Sequence, residues 1–170
     1  MLGLGIPIIY RSFNTGDSVV APIFLYASDF TSDTDGWFDP DGIGDLSAPR
    51  STAGGLDDTL RYVSLAPFQI NRRIRLNLSS LPIPSGNKTY VVKFTFEGTA
   101  SSSTHKIKAS ASLGSNNGPF TGLIPKDTPA TYHETFQSTS PNTFDINFES
   151  EFGPYTDVAY FKNIELYYYP

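Results

Sequence analysis

The stretch Phe68-Gln69-Ile70-Asn71-Arg72-Arg73-Ile74-Arg75-Leu76-Asn77-Leu78 alternates with a period of two: even positions are apolar except Arg72, and odd positions are polar. A helix would repeat every 3.6 residues, so this spacing indicates a β-strand with one dry face and one wet face. The same alternation runs through Thr89 to Glu97, His105 to Leu113 and Thr143 to Glu149. Further strands are expected at Val19 to Ala27, Leu60 to Ala66, Tyr132 to Gln137 and Asp157 to Tyr169. In the last of these, Val158, Tyr160, Lys162, Ile164, Leu166 and Tyr168 alternate with Ala159, Phe161, Asn163, Glu165, Tyr167 and Tyr169, so aromatic rings fall on both faces.

Between these runs lie Pro82-Ile83-Pro84-Ser85-Gly86-Asn87, Gly114-Ser115-Asn116-Asn117-Gly118-Pro119 and Thr139-Ser140-Pro141-Asn142. All are rich in residues that fix or tolerate unusual φ and so make turns. About eight short strands at this spacing imply an all-β fold, an antiparallel β-sandwich of jelly-roll type. No composition shift marks a second domain. The expected organisation is an N-terminal arm or edge strand over residues 1–17 and a single β-sandwich domain over 18–170. The Asp- and Gly-rich stretch from Asp33 to Asp57 is expected to be one long loop, and a loop of that length suggests function or local packing.

Composition narrows the function. Lys and Arg number 12 against 17 Asp and Glu in 170 residues, a formal charge of −5. Neutralising phosphates needs a basic face, so nucleic acid is not an expected partner. No apolar run reaches the roughly 18–20 residues of a membrane-spanning helix, so no membrane partner is expected. The absence of cysteine rules out thiolate metal sites and cysteine nucleophiles. His105 and His133 are the only histidines and show no metal-ligand spacing. No nucleophile elbow or phosphate-cradling glycine loop is present, and among Glu97, Glu134, Glu149, Glu151 and Glu165 nothing selects a pair for glycoside hydrolysis. The chain is therefore expected not to be an enzyme.

Ser28-Asp29-Phe30-Thr31-Ser32-Asp33-Thr34-Asp35-Gly36-Trp37 resembles the opening of the galactose-binding-like jelly rolls found among carbohydrate-binding modules. Tyr90 to Phe96 resembles their central strand, and Phe161-Lys162-Asn163-Ile164-Glu165-Leu166 their closing strand. The resemblance covers roughly residues 28–170. It implies a lectin-like sandwich with Trp37 packed under its edge. Lys162 stands where that family commonly carries an Asp that helps hold a structural calcium, a departure from the pattern. A second resemblance, through Leu2-Gly3-Leu4-Gly5, is to short virion proteins of tailed bacteriophages.

Several candidate sites follow. Loop aromatics offer stacking platforms for sugars, and Phe120 and Tyr155 lie in Gly- and Pro-rich segments that can project a ring. Asp33, Asp35, Asp39 and Asp41 offer hard oxygen ligands for calcium; the alternative is an Asx-turn loop whose carboxylates accept backbone N–H bonds. Arg72, on the apolar side of its strand, needs a carboxylate partner or a place at the sandwich edge, whereas Arg73 and Arg75 read as a solvated face. Leu2, Leu4, Ile6 and Ile8 of the arm, with Tyr167 and Tyr169 of the last strand, are expected to contact neighbouring subunits by apolar burial. The leading expectation is a non-catalytic virion component, located in the virion as a capsid decoration, head-fibre or tail-associated protein. Its expected partners are other virion subunits or further copies of itself, and a host glycan. The alternative is a free-standing, extracellular carbohydrate-binding module.

Overall fold

A computed structural model describes residues 20–64, 72–99, 106–151 and 158–170. The strands are β1 (Ile23–Ser28), β2 (Gly44–Arg50), β3 (Thr59–Ser64), β4 (Arg72–Asn77), β5 (Lys88–Thr99), β6 (Lys106–Leu113), β7 (Asn116–Asn117), β8 (Ile124–Pro125), β9 (Ala130–Ser138), β10 (Thr143–Glu151) and β11 (Val158–Tyr169). No helix occurs among the described residues, and every strand pairing is antiparallel. The first sheet runs β2-β3-β11-β5-β9, with β1 beside the second half of β11. The second runs β4-β10-β6-β7, with β8 also on β6. From β3 onward the chain passes repeatedly from one sheet to the other, so residues far apart in sequence become cross-strand neighbours.

The alternation assigns the core. Tyr90, Val92, Phe94 and Phe96 of β5 and Phe161, Ile164 and Leu166 of β11 face inward. They meet Ile74 and Leu76 of β4, Phe144, Ile146 and Phe148 of β10, and Ile107, Ala109, Ala111 and Leu113 of β6. In β11 the simple two-residue reading fails once. The pairing with β5 shifts register between Lys162 and Glu165, and Asn163 adopts φ 51°. That bulge switches parity: Ala159 and Phe161 face the core before it, and Ile164 and Leu166 after it. The outer side of this strand's C-terminal end then carries Tyr167 and Tyr169.

All eight expected strands form, with altered ends. The long-loop expectation for Asp33 to Asp57 is corrected, because β2 lies within it and pairs with β3 at the sheet edge. Pro49 conceals this strand in the sequence. Proline cannot donate to a ladder and is tolerated at an edge, and here the register shifts between Ser47 and Arg50. Arg72 is 9% exposed on the core side of β4, close enough to Tyr62 for its charge to oppose the burial-driven rise of that phenol's pKa.

Candidate functional site

The outer face of the second sheet carries polar side chains in cross-strand register. One row runs Phe38, Arg75, Asp145, Ser112 and Asn117, joined by the bridge of Phe38 to Arg75 and by the β4, β10, β6 and β7 pairings. The next runs Arg73, Asn147 and Ser110, and a third pairs Glu149 with Lys108. A groove of about 450 Å³ opens over these rows, lined by Asp41, Arg73, Ser110, Ser112, Asn117, Gly118, Phe120 and Asn147.

Its polar groups are held in place. Arg75 donates from Nε to Asp145 Oδ1 at 2.6 Å and from Nη2 to Oδ2 at 2.7 Å. These bonds raise the guanidinium pKa above its already high value. Arg73 grips Asp41 in the same bidentate way, Nε to Oδ2 at 3.1 Å and Nη2 to Oδ1 at 2.7 Å. Asn147 Nδ2 donates to Ser112 Oγ at 2.8 Å, and Ser112 Oγ donates to Asn117 Oδ1 at 2.7 Å, a relay across three strands. Lys108 sits 2.6 Å from Glu149 and 4.6 Å from the centroid of the Phe120 ring.

The wall bearing Phe120 follows from backbone pairing beyond β7. Gly118 N donates to Ala111 O at 2.8 Å and Thr121 N to Ala109 O at 2.8 Å, so residues 118–121 run along β6. Only glycine permits this approach. A Cβ at Gly118 would come within 2.3 Å of the Tyr132 hydroxyl, closer than any non-bonded contact allows. Phe120 is thereby left 36% exposed at the groove. An exposed ring beside fixed donors and acceptors can take the C–H face of a sugar while hydroxyls bond to the polar floor.

Of the sequence candidates, only Phe120 and Asp41 line this groove. Tyr155 lies outside the described residues, as do Leu2, Leu4, Ile6 and Ile8. Tyr167 and Tyr169 lie on the other sheet: Tyr169 is 39% exposed, and the Tyr167 ring sits 5.1 Å from that of Phe24. Ser110, Ser112, Asn117 and Asn147 were not anticipated, since small polar residues on a wet strand face carry no local signal. Arg73 and Arg75, expected as a solvated face, do point outward, and each is ion-paired there.

The carboxylates of the acidic loop, expected as calcium ligands or as acceptors in an Asx-turn loop, are engaged by protein donors. Asp33 Oδ1 accepts from Asp35 N at 2.7 Å, and Asp39 accepts from the N–H groups of Asp41, Ile43 and Gly44 at 2.8, 2.8 and 2.6 Å. Asp35 Oδ2 accepts from Ser28 Oγ and from Phe30 N, the latter at 3.2 Å, and Asp41 serves Arg73. These carboxylates are turned to separate donors, the Asx-turn arrangement. No group of three or more His, Asp or Glu side chains able to hold a metal forms among the described residues. The structural calcium of the resembling family does not fit either. The Lys162 ammonium donates to the backbone carbonyl of Asp57, and a cation in that place cannot be a metal ligand. Trp37 is 2% exposed, edge-on to Phe144 at 5.1 Å, with Nε1 donating to Tyr26 Oη at 2.9 Å; it belongs to the core.

No protein-family model matches the sequence, and no curated protein sequence matches it. Solved structures do. The CBM22-1 xylan-binding domain of Paenibacillus barcinonensis Xyn10C aligns with a TM-score of 0.63 at 11% identity, over 89% of this chain and 98% of that one. The CBM22-1 and GH10 modules of Clostridium thermocellum xylanase 10B, solved with xylohexaose, give 0.61 at 11% identity over 86% of this chain and 28% of that one. The BiXyn10A CBM1 structure gives 0.55 at 13% identity, covering 84% and 96%. At these identities the likeness is one of architecture: the chain has the β-sandwich jelly roll of carbohydrate-binding modules.

Proposed function

We propose that this protein binds a glycan chain, without cleaving it, in the groove on the outer face of the second sheet. The observation that carries this reading is the pairing of a half-exposed ring, Phe120, with a floor of fixed hydrogen-bonding groups on Arg73, Ser112, Asn117 and Asn147. The shared fold with a xylan-binding domain supports it. The carboxylates of the outer face, Asp41, Asp145 and Glu149, are each engaged by a cation.

The virion role expected from the N-terminal sequence gains nothing from the fold or its structural relatives, so the alternative, a carbohydrate-binding module, becomes the main reading. Affinity electrophoresis through gels containing soluble polysaccharides tests it. Retardation by at least one polymer, reduced about tenfold in affinity by Phe120→Ala or Asn147→Ala at unchanged melting temperature, is expected from loss of a stacking or hydrogen-bonding anchor. Migration unaffected by every polymer would refute it.

A further inference from the structure

Resting on the glycan reading of the groove, we infer that its ligand is a neutral glycan and that the site rejects chains bearing uronate or sulfate groups. Three cations face the second sheet's outer surface in these rows, and three carboxylates are paired to them: Arg73 with Asp41, Arg75 with Asp145, Lys108 with Glu149. The local charge balances. Both guanidinium groups spend their Nε and Nη2 edge, one of the two edges able to grip a carboxylate with paired bonds, on the carboxylate they hold, so each presents a ligand with a neutralised charge. Lys108 is held between Glu149 and the Phe120 ring. An anionic ligand would either displace a carboxylate from its cation or bond to the outer guanidinium hydrogens beside it, and in both cases it adds a like-charge contact to a pair already neutral.

A hydroxyl meets no such obstacle, because it donates and accepts. It can bond to a paired carboxylate, to the outer guanidinium hydrogens or to the Asn147, Ser112 and Asn117 relay without breaking any of them. The whole chain, at −5, adds a field that repels polyanions before contact. Selectivity against acidic glycans therefore comes from cations that are present but already satisfied.

The test uses the full chain in affinity electrophoresis and calorimetry with arabinoxylan, mixed-linkage β-glucan and galactomannan as neutral probes, and polygalacturonate and chondroitin sulfate as acidic ones. Binding to a neutral polymer is expected, changing less than about twofold between about 50 and 500 mM salt, since no net charge is neutralised. The acidic polymers should not bind. Asp41→Asn leaves the Arg73 guanidinium uncompensated and should confer salt-sensitive binding to polygalacturonate, raised at least about tenfold over the parent. Should that variant fold poorly, Glu149→Gln poses the same question at Lys108. Salt-sensitive binding of acidic polymers by the parent chain overturns the neutral-ligand inference and leaves the glycan reading standing. An unchanged preference in both folded variants overturns the charge-pairing argument, and binding of no polymer of either kind overturns both readings.

Discussion

Arg75 and Asp145 lie 70 positions apart in sequence yet sit directly opposite one another on β4 and β10, joined by two parallel hydrogen bonds of 2.6 and 2.7 Å. Asp145 is buried and Arg75 half-buried beside the groove, so the pair is shielded enough to matter and open enough to orient a neighbouring ligand. Asp145→Ala removes both acceptors and should destabilise the fold by about 1–3 kcal/mol in urea unfolding, the usual cost of stranding a charged donor. Combining it with Arg75→Ala should cost clearly less than the sum of the single changes. Strict additivity would show that the two side chains do not act as a unit.

Trp37 is the only tryptophan and is locked between Phe144 and the Tyr26 hydroxyl. Its fluorescence should report unfolding and remain unchanged on polysaccharide binding, because the ring is in the core rather than at the groove. Trp37→Ala should cost about 3–5 kcal/mol through cavity formation. A shift in tryptophan emission on adding a bound polymer would place the ring at the ligand instead.

Burial pushes the phenol pKa values of Tyr26, Tyr62 and Tyr132 from 10 up to about 12. Unfolded chains release these protons near pH 10, while the folded protein holds them until about 12. Their contribution is thus complete below pH 10 and is lost as pH rises from 10 through about 12. The melting temperature should begin to fall in that window, and phenolate absorbance from these three should appear only with unfolding or near pH 12. Ionisation of all ten tyrosines in one step near pH 10 with the fold intact would contradict the burial assignment.

The Asp33 to Asp41 loop is held by its own backbone donors, and Lys162 holds Asp57. Millimolar calcium and chelator should leave the melting temperature unchanged. Asp39→Ala, which removes the acceptor for three N–H groups, should lower stability by about 1–3 kcal/mol whether or not calcium is present. A calcium-dependent rise in melting temperature that vanished in Asp39→Ala would instead establish a metal site in this loop.

At Gly118 the prediction is steric. Gly118→Ala drives a methyl group into the Tyr132 hydroxyl, so the 118–121 segment must lift off β6. Polysaccharide affinity should fall together with stability, the latter by about 1–3 kcal/mol as for other overpacked sites. Retention of full affinity would mean that Phe120 is not placed by this contact.

The sequence by itself determined the strands and their faces, because side-chain direction in a strand is a local property with a period of two. Phe94, Phe96, Ile74 and Ile146 could be assigned to the core from spacing alone, and the tight packing of Trp37 from its motif. Four local features escaped: the β11 bulge, where one residue in the left-handed region switches parity; β2, masked by Pro49; and the two-residue strands β7 and β8, the first inside a stretch read as a turn. The groove was not legible at all except for Phe120. Arg73, Ser110, Ser112 and Asn147 are ordinary wet-face residues on three separate strands, and only pairing over distances of about 35 to 75 residues makes them neighbours. Likewise, whether Asp41 would bind a metal or an arginine depended on which strand came to lie beside it. Periodicity decides which way a side chain points; the order of strands in the sheet, set by burial of both inner faces at once, decides what it meets.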